Sequence, residues 1–279
     1  MRIGLSTACL YGLPLRSFLR MAASCDVDGV ELVMCPEVRL RGARGIRRLL
    51  CAFGLDVLSV HVALLPPLPV RWPGDGLGVA TRVAVDLGAD AVVFHAPFSP
   101  WASSSTQRWL TSLDGAMGAV KGTRTSLALE NVGTYGQDTD GEALSSIPEL
   151  VAFAERRSIS LTLDTCHVGN AAMGLLETYE RVRPLLANVH LSDYGPRTDE
   201  KRVSSRSLTH SLRSEHRFPG AGDLPLRRFL RQLAADGYTG SINLELSPLA
   251  LRLWEPRQVG ERLGAAVDWV RNAIREGTP

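Results

Sequence analysis

The chain has 279 residues, 45% of them hydrophobic and 22% charged, which fits a globular protein with a sizeable core. A net charge of +2 is too small to announce a nucleic-acid binder, and no apolar run approaches the roughly 20 residues that cross a bilayer. The five cysteines (Cys9, Cys25, Cys35, Cys51 and Cys166) are scattered, with no C-x-x-C, which argues against a disulfide scaffold and for a reducing cytoplasm.

Short β-branched runs alternate with helical patterns along the whole chain. The strands read in order are Ile3–Ser6, Gly29–Val33, Val57–Val62, Ala91–Ala96, Leu127–Val132, Leu161–Thr165, Val189–Ser192 and Ile242–Leu246. Amphipathic stretches lie between them, such as Leu15–Ser24, Leu77–Leu87, Gln107–Val120, Ile147–Arg156, Leu175–Leu185 and Leu226–Ala235. A last one, Val259–Arg275, follows strand eight and would close the ring. Eight such units predict a parallel (β/α)8 barrel, one domain over residues 1–279, a size that α/β barrels of about 250 residues commonly reach. An open doubly wound sheet is the competing architecture, but no G-x-G-x-x-G follows the first strand. Two connections are long for a compact barrel: Pro66–Gly76, rich in proline, and Tyr194–Asp223, rich in charge.

The chemistry-bearing residues sit where the strands end. His61 lies near the end of strand three and His95 at the end of strand four. Glu130 follows on strand five, Asp164 and His167 on strand six, His190 on strand seven and Glu245 on strand eight. The C-terminal strand ends of a barrel converge on one mouth, where such active sites lie. Singly, each residue has a plain structural reading: a strand-end histidine is commonly a hydrogen-bonded scaffold residue, and a carboxylate can accept helix N-terminal amides. Together they are costly to bury without a compensating positive charge. The mixed His and carboxylate set suits Zn, Mn or Fe better than Ca, with Zn or Mn the leading expectation.

The motifs Leu-Glu-Asn, Leu-Asp-Thr-Cys-His, His-Leu-Ser-Asp, His-Arg-Phe-Pro-Gly-Ala-Gly-Asp and Leu-Glu-Leu-Ser-Pro occur in this order from Leu127 to Pro248. In these the chain resembles the xylose-isomerase-like barrels, which include sugar isomerases and epimerases and the abasic-site endonucleases of the endonuclease IV type. For the isomerase branch, the resemblance implies one metal held by Glu130, Asp164, His190 and Glu245, with Glu130 and Glu245 also acting as acid and base. For the endonuclease branch it implies further metals, one through His61, His95 and a shared Glu130, another through His167 and His216. That branch also uses an aspartate two residues before its last histidine. Here the position is Ser214, followed by Glu215, so a third site would be weak, absent or rebuilt.

The Tyr194–Arg217 loop carries Arg197, Lys201, Arg202, Arg206, Arg213 and Arg217 against Asp199, Glu200 and Glu215. Arg197, Arg213 and Arg217 are the candidate phosphate contacts; a solvated loop is the plain alternative. Gly220-Ala-Gly222 could present amides to a phosphate, or simply form a tight turn. Glu31 and Asp193 could orient imidazoles or serve the scaffold, and Trp101 and Tyr135 could line the mouth or pack at its rim. His210 falls in the loop without a strand-end position.

His61, His95 and His216, added to the four-residue core, tilt the expectation toward a metal-dependent phosphodiester hydrolase of the abasic-site endonuclease type. Its partner would be DNA containing abasic sites and its setting base-excision repair. The alternative is a metal-dependent isomerase, epimerase or related lyase acting on a small sugar, sugar phosphate or polyol.

Overall fold

The computed structural model describes residues 1–10, 12–63, 76–97, 100–132, 144–195 and 214–276. Strands β1 (Arg2–Ser6), β2 (Gly29–Val33), β3 (Asp56–His61), β4 (Ala91–Phe94), β5 (Ser126–Glu130), β6 (Ser160–Asp164), β7 (Leu186–Leu191) and β8 (Ser241–Leu244) pair in parallel. They close in chain order, with β8 returning to β1 through Ile3↔Ile242 and Leu5↔Leu244. The barrel expected from the sequence is therefore present. Helices cover its outside: α1 (Leu15–Ala23), α2 (Pro36–Phe53), α3 (Gly76–Leu87), α4 (Ser104–Val120), α5 (Ile147–Arg157), α6 (Thr165–Asn170), α7 (Leu175–Val182), α8 (Leu226–Ala235) and α9 (Val259–Arg275).

The helices form where apolar residues recur at helical spacing. In α1 the buried face is Leu15, Phe18, Leu19 and Ala22; in α8 it is Leu226, Phe229, Leu230 and Leu233. Both sets follow the i, i+3, i+4, i+7 stripe that seats a helix on a sheet. Strands clad on one face by these helices and filled on the other by the barrel interior read as continuous buried runs, as in β2. Helix α2 is not among the stretches read from the sequence. Its apolar period is broken by arginines and by Gly42, which interrupts the helix at φ 59°.

Barrel interiors are usually filled by branched apolar side chains, but this one carries a polar ladder. Asn188 Oδ1 accepts from Ser241 Oγ at 2.7 Å and from Asn243 Nδ2 at 2.9 Å. Asn243 Nδ2 also reaches Ser59 Oγ at 3.0 Å, and Ser59 donates to Glu31 Oε2 at 2.7 Å. All five residues are buried. Gly4 makes room for this ladder, since a Cβ there would stand 2.3 Å from Asn243 Oδ1 and 2.6 Å from Leu58 Cδ1.

Gly4→Ala should accordingly destabilise the protein by about 1–3 kcal/mol through overpacking, read as a lower urea midpoint at unchanged slope. A midpoint equal to that of the wild type would contradict this packing.

Candidate metal centre

The parallel strands deliver their side chains to one mouth. His61, Glu130 and Asp164 are the last residues of β3, β5 and β6, His190 is the penultimate residue of β7, and His95 and Glu245 follow β4 and β8 directly. Asp164 also starts α6, because its Oδ1 accepts the backbone N–H of His167 at 2.8 Å. That N-cap sets His167 one helical turn above the strand end. His216 enters from the segment after β7 in a left-handed conformation, φ 47°, rare for a side chain with a Cβ. It is held by Cys166 Sγ on its N–H (3.3 Å) and by Ser192 Oγ near its Nδ1 (3.2 Å).

The imidazoles form one contiguous cluster. Ring centroids lie 5.5 Å apart for His61–His190, 5.2 Å for His61–His95, 6.2 Å for His95–His167 and 6.0 Å for His167–His216. Glu130 lies at the junction: its Oε2 is 3.0 Å from His61 Nε2 and 2.8 Å from His95 Nε2, while its Oε1 is 3.1 Å from His190 Nδ1. His190 Nδ1 also has Glu245 Oε2 at 3.7 Å and Asp164 Oδ2 at 4.0 Å.

Three groups of donor atoms converge closely enough to share a cation: Glu130–Asp164–His190, His61–His95–Glu130 and Asp164–His167–His216. A fourth joins Glu31 to His190 and Glu245. Two orphaned atoms fit this reading. Asp164 Oδ2 is buried without a hydrogen-bond partner, and His95 Nε2, although close to Glu130 Oε2, is out of line for a hydrogen bond. Buried polar atoms are normally satisfied; atoms that converge without bonding to each other are what a cation site requires. The remaining ring nitrogens are occupied elsewhere, His61 Nδ1 by Val62 O at 2.5 Å and His167 Nδ1 by Asn131 O at 2.8 Å. His61 thereby turns its Nε2 toward Glu130, 3.0 Å away.

The charges of the cluster hold one another. Burial alone would raise the pKa of Glu130, yet the surrounding His95, His190 and His61 bring it well below the usual carboxylate range. Burial alone would lower His61, but its hydrogen bond and charge contact with Glu130, with Glu31 behind, raise it to about 9. His190 likewise rises well above its ordinary value, against burial, through Glu245, Glu31 and Glu130. Glu245 is the exception: burial raises it, and Glu31 and Glu130 add to the rise, more than His190 can offset. Ser6 donates to its Oε1 at 3.1 Å.

The sequence reading gave no role to Asn131. Its Nδ2 donates to Asp164 O at 3.1 Å, its Oδ1 accepts the Asp164 N–H at 2.8 Å, and its carbonyl takes His167 Nδ1. It thus fixes two of the converging residues, and its place beside Glu130 in the Leu-Glu-Asn motif was the available signal.

Contacts among the described residues bear on several alternatives left open around the mouth. The Gly220-Ala-Gly222 turn serves Asp193, not an external anion: Asp193 Oδ2 takes the Gly220 N–H at 2.8 Å and Oδ1 takes that of Leu224 at 3.1 Å. Asp193 is therefore a scaffold group. Arg217 stands at the base of the same turn, its backbone paired with Asp193 and its Nη1 3.3 Å from Gly195 O. Ser214 is buried, and the neighbouring Glu215 is engaged by Asn170 and belongs to none of the converging groups among the described residues. Trp101 packs at the rim, 5.6 Å from the Phe153 ring. Arg197, Lys201, Arg202, Arg206, His210, Arg213 and Tyr135 lie outside the described residues.

A cavity of about 590 Å³ opens beside His61 and His95, walled by Val62, Leu77, Phe94 and Trp109 with Arg108 on its lining. It gives a small molecule room next to the cluster.

A cation entering this cluster would displace protons from the raised imidazoles. Titrating the metal-free protein with Zn²⁺ in weak buffer near neutral pH should therefore release protons. Apparent affinity should climb as the pH rises above neutrality, because the raised His61 and His190 lose their protons more readily there. Binding that is independent of pH and releases no proton would contradict the arrangement.

A relative from Mycobacterium tuberculosis, an uncharacterized protein, is 27% identical over 279 residues covering 92% of each chain. The solved D-psicose 3-epimerase of Clostridium cellulolyticum with D-tagatose superposes at TM-score 0.70 and 15% identity, over 98% of this chain and 99% of that one. The D-allulose 3-epimerase of a Methylomonas species, solved with D-allulose, superposes at 0.69 and 17%, over 98% and 97%. These likenesses are of fold. A model described as xylose isomerase-like TIM barrel matches residues 19–273, and with the closed barrel and the strand-end donors in the expected places, the chain belongs to that family.

Proposed function

We propose that the protein is a metal-dependent isomerase or epimerase acting on a small sugar, sugar phosphate or polyol, with Glu130 and Glu245 as its acid–base pair. The observation that carries this reading is the placement of two buried carboxylates on one ring nitrogen, His190 Nδ1, at 3.1 Å and 3.7 Å. Glu130, Asp164, His190 and Glu245 would hold a divalent cation, which would polarise the carbonyl and hydroxyl of a hydroxy-carbonyl substrate.

The two carboxylates have unequal surroundings. Imidazoles on both of its oxygens keep Glu130 ionised and able to take a proton from carbon. Glu245 has its ionised form disfavoured by burial and by its acidic neighbours, so it is the better proton donor. Titratable groups whose environments push them apart in this way divide base and acid between them. The cavity beside His61 and His95 would take the rest of the substrate. The sugar 3-epimerases that share the fold support this reading over the hydrolase expected from the sequence.

The abasic-site endonuclease expectation and its DNA partner find no such support. The aspartate of its third site is Ser214 here, the glycine turn is filled by Asp193, and Arg217 is tied to the loop base. One observation still favours hydrolysis as a second reading. His61, His95 and Glu130 offer a second three-donor site sharing Glu130 with the first. Two cations bridged by a carboxylate suit in-line displacement at phosphorus.

Two measurements separate the readings. In D₂O, the metal-loaded protein should exchange a substrate C–H of a 2-ketose or its phosphate. Glu130→Gln and Glu245→Gln should each slow the exchange by about 10²–10⁴-fold. Failure to exchange with any ketose or ketose phosphate tested would overturn the proposal. Metal counting should give one ion per chain that persists in His95→Ala. Two ions per chain, together with phosphodiester cleavage lost in His95→Ala, would establish the second reading instead.

A further inference from the structure

We propose that Glu31, which lies outside the four-residue core, is the positioning residue of the centre. Its carboxylate takes the Nε2–H of His190, and so commits the Nδ1 lone pair of that ring to the cation.

The two nitrogens of His190 have different surroundings. Nδ1 faces the other three core residues, Glu130, Glu245 and Asp164, at 3.1, 3.7 and 4.0 Å. Nε2 faces away from them toward Glu31 Oε2, 2.9 Å away. A carboxylate only accepts, so the nitrogen that faces Glu31 carries a hydrogen. A ring held in this way gives up the Nδ1 proton, not the Nε2 proton, when a cation arrives among the three carboxylates.

The strand geometry aims Glu31 at this task. Against β3, the register of β2 slips between Val30 and Glu31: Val30 lies opposite Val57, and Glu31 opposite Ser59. Such an irregularity re-aims a side chain, and here it points a carboxylate into the barrel with 0% exposure. Ser59 donates to the same Oε2 at 2.7 Å, and is itself held by Asn243. The acceptor is thereby fixed from below while the histidine sits above it. Oε1 has no hydrogen-bond partner. A buried carboxylate satisfied on one oxygen only is costly unless positive charge stands nearby. A cation on the far nitrogen of His190 supplies that charge through the ring.

The inference rests on the metal-centre reading, but not on which reaction the centre performs. The first test is Zn²⁺ affinity of the wild type and of Glu31→Gln, by competition with a chelating dye, beside the thermal midpoint of both metal-free proteins. The expected result is a 10–100-fold loss of affinity in Glu31→Gln, the usual cost of losing a group that orients a ligand, with a metal-free midpoint at least as high as wild type. Equal affinity, or a loss of affinity matched by a collapse of the metal-free fold, would overturn the assignment. The second test needs no variant: in ¹⁵N spectra of the ¹¹³Cd-loaded wild type, His190 should show a protonated Nε2 and cadmium coupling at Nδ1. Coupling at Nε2 would overturn the inference. A wild type that binds neither ion would overturn the metal-centre reading itself, a failure distinct from intact binding with the wrong nitrogen.

Discussion

Four carboxylates (Glu31, Glu130, Asp164 and Glu245) are gathered at the mouth of a barrel with almost no access to water. Charge buried at this density is strongly unfavourable unless it is neutralised in place. Much of the local structure follows from that constraint. Every one of these carboxylates has an imidazole within 4.0 Å, and in the metal-free protein the ring protons supply the compensation. Uncharged donors take much of what remains: Ser59 on Glu31, Ser6 on Glu245, and the amide of His167 on Asp164. A divalent cation would replace protons in this scheme, and the cluster would keep its ligands in place before the metal arrives.

Beneath the centre, the interior ladder of Ser59, Asn188, Ser241 and Asn243 has its own consequence. An apolar interior would leave Glu31 without any partner below the ring it touches. The polar ladder, with Gly4 cut back to admit Asn243, extends the hydrogen-bonded structure of the mouth downward through the barrel. Stability and site geometry are coupled here, because the residues that fill the barrel also hold the residues that would bind metal.

Much of this was legible in the sequence, for reasons that can be named. Gly29–Val33, Leu226–Ala235 and Val259–Arg275 fall where their apolar spacing predicts. The strand-end positions of His61, Glu130 and Asp164 follow from the parallel barrel itself, since strands that all run the same way bring every C-terminal end to one rim. What was not legible depends on contacts between residues far apart in the chain. The slip between Val30 and Glu31 leaves no mark in composition, yet it decides that Glu31 meets His190 across 159 positions. Gly220-Ala-Gly222 reads as an anion site until Asp193 is found filling it. Thr165 looks like the end of a strand because its run is β-branched, but the carboxylate of Asp164 caps a helix there.

The most direct test of the central claim, that this cluster exists to hold a divalent cation, is an anomalous-difference map from crystals of the protein loaded with Zn²⁺. A peak is expected about 2.0–2.2 Å from His190 Nδ1 and from oxygens of Glu130, Asp164 and Glu245. A metal-loaded crystal with no peak among those four residues, or with its only peak elsewhere on the chain, would contradict it.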